Sequence, residues 1–125
     1  RLGPALSVTE KETFYALLLD SKNRLIREEA ISTGTLTASL VHPREVFRGA
    51  IKDAAAALIV AHNHPSGDPT PSREDLEVTS RLRATGELIG IPLLDHIIIG
   101  SGRYVSLAER GRLGDPRPRR PSSTR

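Results

Sequence analysis

Four residues near the middle of the chain have types and spacing suited to holding a metal ion. His62 and His64 follow the apolar run 54–61 (AAAALIVA), and Ser72 and Asp75 come after Pro65 and six further residues. Positions i and i+2 of a strand project to the same side, so the two imidazoles can share one ion. Zinc takes His nitrogen at about 2.0–2.1 Å and Asp oxygen at about 2.0–2.2 Å. Two His and one Asp leave a fourth tetrahedral position for water, the open pattern of a catalytic site rather than the closed pattern of a structural one. Each part also has a plainer explanation. His-x-His followed by Pro65 and Gly67 can mark no more than a turn after a strand. Ser-x-x-Asp at a helix start can be a capping box, with Asp in place of the usual Glu or Gln, and Asp75 suits the positive end of a helix. In combination the parts point to a hydrolytic metal site, because a short Pro-containing loop keeps the helix start near the strand end.

The composition restricts the ligand chemistry. The chain has no Cys, so thiolate metal sites, disulfides and Cys nucleophiles are excluded, and any ligands are His and carboxylate. Absence of Cys also fits a cytoplasmic protein. There is no Met, so the chain is expected to be a fragment or a processed form. It shows no apolar run of about 18 residues and no signal-peptide pattern, which reads as soluble and without a membrane partner. At 125 residues it has the size of one domain. With aromatics at 3%, aliphatic side chains must fill the core. The net charge of +3 suggests a nucleic-acid partner until its distribution is considered. Six Arg and one Asp lie between Arg110 and Arg125, leaving residues 1–109 with 12 basic and 14 acidic groups. Phosphate binding needs basic groups clustered on a folded face, so nucleic acid is not expected to bind the folded body.

The elements that must position the site follow from pattern. The run 13–20 (TFYALLLD) is strand-like, residues 20–23 form a polar turn, and Leu25-Ile26 opens a second strand, giving a hairpin. Residues 32–39 form a connection. Pro43 suits the first position of a helix, with Val46, Phe47, Ala50 and Ile51 as its apolar stripe. The run 54–61 reads as a buried strand leading into His62. Residues 72–89 form the clearest helix, with Leu76, Thr79, Leu82 and Ile89 near one face and Gly90 and Pro92 as its stop. Residues 93–99 read as a strand, 100–102 as a tight turn and 103–107 as a short partner strand. Residues 1–110 are expected to form the domain, and 111–125, rich in Pro, Arg and Ser, a disordered tail dispensable for folding. Strands alternate with helices and read as apolar on both faces, so the expected fold class is α/β, with a central mixed sheet flanked by helices.

The pattern His62-x-His64-Pro65, six residues, Ser72-x-x-Asp75 resembles that of the JAMM metallopeptidases, also called MPN-plus domains. The longer stretch HNHPSGDPTPSREDLEVTSRLRATGELIGIPLLDHIIIGSGRYVSL, with VHPREVFRGAI and ALLLDSKNRLI, resembles RadC, a bacterial branch of that superfamily. The match runs from about Glu10 to Glu109. It implies a JAMM sandwich similar to cytidine deaminases. The deaminases themselves need H-x-E and P-C-x-x-C, which this chain lacks, so base deamination is not expected. The N-terminal helix-hairpin-helix-like region usual in RadC proteins is also missing from the sequence, in keeping with a fragment.

By the resemblance, one zinc ion is bound by His62, His64 and Asp75, with water as fourth ligand. Ser72 helps to hold an oxyanion, and an upstream Glu at the start of the first strand acts as general base. Glu12 fits that position, with Glu10 as runner-up; Glu28 and Glu29 on the second strand fit less well. His42 is expected at a helix entry. His96 is read as a hydrogen-bonded strand histidine, with Asp95 pointing to the opposite side. The implied activity is a zinc metallopeptidase or isopeptidase acting on a peptide or protein. A metal-binding module without turnover and a DNA-repair-associated factor are the alternatives.

Overall fold

The run TFYALLL becomes β1 (Thr13–Leu19), and the polar turn after it folds the chain back as β2 (Leu25–Thr33). The turn is built by Asp20, whose side chain accepts from the Lys22 and Arg24 N–H groups, while Asn23 takes a left-handed φ of 61°. Such a conformation suits Asn better than most residues. Then come α1 (Pro43–Lys52), β3 (Ala57–Asn63), α2 (Arg73–Ile89), β4 (Leu93–Ile99) and β5 (Tyr104–Ser106). This computed structural model describes residues 11–33 and 41–113. The five strands form one mixed sheet in the order β2-β1-β3-β4-β5; β3 and β4 are parallel and the other neighbours antiparallel. The architecture is thus the α/β mixed sheet expected, and no helix among the described residues is long and apolar enough to cross a membrane.

Both described helices pack on the same face of the sheet. Phe14, Ala16 and Leu18 of β1 and Leu58 and Val60 of β3 share one core with Val46, Phe47 and Ala50 of α1 and Val78 and Leu82 of α2. That face continues along β3 to His62 and, past the strand end, to His64.

Several expectations are corrected. Ile51 is 61% exposed and Ile89 43%. The α1 stripe centres on Val46 and Ala50, with Gly49 also buried. Ile51 lies about 100° round the helix from Ala50 and turns to water. At Gly49 the Glu29 side chain reaches in close to the helix, and a Cβ there would push its carboxylate aside. Nor are all strands apolar on both faces: β2 is largely exposed, as an edge strand paired on one side only. The strand read from Ala54 starts at Ala57, because Ala54 takes a left-handed φ of 55° on leaving α1. The expected tail does not begin at Gly111. Leu113 is buried with Val105 and Leu107, and the Arg112 N–H donates to the Leu107 carbonyl at 2.8 Å. The chain folds back far enough for one more leucine to reach apolar neighbours. Residues 114–125, Glu10 and the connection at 34–39 lie outside the described residues.

Candidate metal centre

Two strand ends and one helix start converge on the site. β1 runs antiparallel to β3 with Phe14 opposite His62. Continued by two residues, that register sets Glu12 opposite His64. The β3 exit is held on its other side too, because the His64 N–H donates to the Ile99 carbonyl of β4 at 2.8 Å. The two histidine rings lie 4.9 Å apart, and the Phe14 ring stacks on His62 at 5.8 Å.

Between the histidines, Asn63 is buried and points to the other face, where it clamps the entrance of β1. Its Oδ1 accepts from the Thr13 N–H at 2.8 Å and its Nδ2 donates to the Lys11 carbonyl at 3.0 Å. Glu12 sits between those two anchor points. A carboxylate oxygen of Glu12 and one ring nitrogen from each of His62 and His64 lie within 4.8 Å of one another, close enough to share a metal ion.

α2 delivers the third predicted ligand. Ser72 caps the helix in a full capping box: the Asp75 N–H donates to Ser72 Oγ at 3.0 Å and the Ser72 N–H to Asp75 Oδ2 at 2.7 Å. Capping and site-building therefore use the same two residues. The box turns the Asp75 carboxylate, 2% exposed, toward both histidines. His62 Nε2 lies 3.0 Å from Oδ1, and His64 Nε2 lies 3.0 Å from Oδ2. Burial pushes the Asp75 carboxyl up, yet the two facing imidazoles and the Ser72 N–H hold it well below the ordinary carboxylate range. The Asp75 carboxylate in turn raises His64 above its usual value, against the effect of burial.

The far nitrogens of both rings are committed. His64 Nδ1 lies 2.9 Å from the Asp68 carbonyl oxygen, which can only accept, so this nitrogen carries the proton. His62 Nδ1 lies 2.9 Å from His96 Nε2. His96 is fully buried, and burial, with His62 beside it, pushes its pKa down to about 3. Among the described residues, His62 Nε2 is buried with no hydrogen-bond partner, although Asp75 Oδ1 is 3.0 Å away. A buried polar atom left in that state is costly. A tetrahedral ion with bonds of about 2.0–2.2 Å spaces its ligand atoms roughly 3.4 Å apart. The 3.0 Å gaps need only slight widening to accept one, so these residues fit a metal ion.

The loop from Pro65 to Pro71 is fastened to the β4–β5 turn. The Ser101 N–H donates to the Gly67 carbonyl at 2.8 Å, and a Cβ on Gly100 would collide with that same carbonyl oxygen and with Pro69. Only glycine permits this approach, which fixes the segment carrying Asp68.

The structure thus brings together His62, His64, Asp75, Ser72 and Glu12. It leaves the less favoured candidates elsewhere. His42 is an exposed N-cap of α1 that makes no side-chain cap bond, and Glu28 and Glu29 lie on β2. Asp95 turns away from the site, accepting from Ser106 Oγ and the Ala108 N–H. His96 is the hydrogen-bonded strand histidine expected, and its partners are the candidate ligand His62 and Thr79 of α2. Sequence reading gave no role to Asn63 and counted Thr79 only as part of a helix stripe. One signal was present, since polar residues inside buried segments must find partners.

The RadC-like JAB domain model matches residues 2–112. A UPF0758 protein of Syntrophotalea carbinolica is 65% identical over 102 residues, 82% of this chain and 45% of that protein. One of Methanosarcina mazei is 56% identical over 108 residues, 86% of this chain and 47% of that protein. Another, of Symbiobacterium thermophilum, is 57% identical over 112 residues, 90% of this chain and 48% of that protein. The chain therefore spans less than half the length of each of these relatives. With a family match over nearly the whole described region and identities well above half, the chain belongs to the RadC family and carries its JAB-like domain.

Proposed function

We propose that this domain is a zinc-dependent hydrolase that cleaves an amide bond in a peptide or protein, and that it works in the cytoplasm, the compartment a cysteine-free chain fits. The observation that carries the reading is the convergence of His62 Nε2 and His64 Nε2 on the two oxygens of one buried carboxylate, Asp75. His62, His64 and Asp75 would hold one zinc ion per chain. When bound, the ion supplies Lewis acidity, lowering the pKa of water toward ~7 and polarising the substrate carbonyl.

The protein's own groups handle the protons and the developing charge. Glu12 accepts a proton from the attacking water and returns it to the leaving amine. Its place at the β1 entrance, pinned on both sides by Asn63, supports that task. Ser72 Oγ accepts from the Asp75 N–H, and a hydroxyl keeps its own proton to donate. That proton is available to the oxygen on which negative charge grows.

Zinc content of the purified protein tests the metal. One equivalent is expected in the wild type and none in His64→Ala; full retention in that variant would overturn the assignment. A second reading rests on the proximity of Glu12 to both histidines: Glu12 is itself a ligand. Glu12→Gln separates the two. As general base it can be replaced with zinc retained and the rate down by about 10²-fold or more; as a ligand it cannot be lost without zinc loss.

A further inference from the structure

Beyond the residues that would touch the ion, a chain of hydrogen bonds runs from His62 back into α2. His62 Nδ1 meets His96 Nε2 at 2.9 Å, His96 Nδ1 meets Thr79 Oγ1 at 2.6 Å, and Thr79 Oγ1 donates to the Asp75 main-chain carbonyl at 2.7 Å. All three side chains are fully buried.

The direction of each bond follows from the last one. A carbonyl oxygen only accepts, so the single hydroxyl proton of Thr79 is spent on Asp75. Thr79 Oγ1 must then accept from His96, which places a proton on His96 Nδ1. A buried neutral imidazole has one N–H, so His96 Nε2 presents a lone pair. That lone pair can only accept, and the proton of His62 must therefore sit on Nδ1. In a neutral His62 ring, the form that can bind a metal, Nε2 is then left as a lone pair aimed at the metal position.

We infer that His96 and Thr79 are positioning residues that fix the tautomer of His62, so that its Nε2 lone pair and not an N–H faces the metal. The inference rests on the metal reading above. The relay starts and ends on ligand residues, since Thr79 lies one turn beyond Asp75 on the same face of α2. The helix that supplies one ligand thereby sets the ring orientation and polarity of another. A His96 with the opposite tautomer would donate to His62 Nδ1 and force the His62 proton onto Nε2, where it would compete with the ion. Loss of such an outer partner typically lowers metal affinity about 10–100-fold.

The test reads tautomers and affinity, not turnover. Long-range proton–nitrogen correlation spectra of ¹⁵N-labelled, zinc-loaded protein report which ring nitrogen carries the proton. His96 is expected protonated at Nδ1 only, and His62 protonated at Nδ1 with Nε2 on the metal. Zinc affinity, measured by chelator competition, is expected to fall about 10–100-fold in Thr79→Val, which keeps shape and removes the hydroxyl. Thr79→Ser, which restores it, should stay within about threefold of wild type. His96 protonated at Nε2 in the wild type, or wild-type affinity in a folded Thr79→Val, overturns the relay while leaving zinc binding standing. Failure of the wild type to bind zinc overturns the metal reading itself, together with the purpose of the relay. Should Thr79→Val not fold, the wild-type His96 tautomer decides alone.

Discussion

Replacing Asn63 by Ala should loosen the entrance of β1 and the placement of Glu12 while sparing the metal. The side chain is 1% exposed and makes two bonds to backbone about fifty residues away in sequence, from Thr13 N–H and to the Lys11 carbonyl. Thr13 is buried, so its N–H loses its acceptor without regaining water, a cost of about 1–3 kcal/mol. Lys11 is exposed, and its carbonyl can turn to solvent, for a net loss nearer about 0.5–1 kcal/mol. The total of about 2–4 kcal/mol is a large share of the ~5–15 kcal/mol that holds a typical domain. Urea unfolding of the zinc-free protein measures it as a shift in midpoint at unchanged slope. Zinc stoichiometry should stay at wild-type level, because the backbone of His64 is held by β4 through Ile99. Turnover that depends on Glu12 should fall with the clamp. Asn63→Asp sharpens the comparison: it keeps an acceptor for Thr13 but turns an oxygen toward the Lys11 carbonyl, so it should not restore wild-type stability. A loss below about 0.5 kcal/mol in Asn63→Ala, the scatter of surface substitutions, would refute the clamp. Zinc loss at unchanged stability would show that Asn63 serves the ligands instead.

Three further outcomes are expected. Gly100→Ala forces a Cβ onto the Gly67 carbonyl; it should cost about 1–3 kcal/mol, as overpacking does, and weaken zinc binding by shifting the Asp68 carbonyl that orients His64, both readable in one zinc titration monitored by unfolding. Truncation after Arg110 removes buried Leu113 from Val105 and Leu107 and should destabilise by about 1.5–3 kcal/mol, so an unchanged melting temperature would show that Leu113 contributes nothing. Zinc that binds only the folded state should stabilise by about 2.7 kcal/mol at 100-fold excess over Kd, and a melting curve indifferent to zinc and chelator would argue against a folded-state site.

The candidate metal site was largely legible because the spacing of four of its residues is local. His62, His64, Ser72 and Asp75 lie within fourteen residues, and strand periodicity plus a helix start is enough to aim them at one another. Secondary structure was legible for the same reason: β4 runs over Leu93–Ile99 as read, and α2 over Arg73–Ile89 with Ser72 as its cap. Helix faces were harder, since Ile51 and Ile89 look like stripe residues until the sheet selects which side of each helix is buried.

What pattern could not supply was pairing across long separations. Glu12 reached the site by family resemblance, and only the antiparallel register of β1 on β3, with Phe14 opposite His62, places it there physically. The partners of Asn63, His96 and Thr79 were not visible, because they lie well away in sequence: Asn63 meets Lys11 and Thr13, and His96 meets His62 across the sheet and Thr79 on the helix above. A buried polar side chain announces that it needs a partner, but not which one. That choice belongs to tertiary structure, because strand order and register are set by how the whole apolar surface closes, and they decide which lone pair ends up facing which proton.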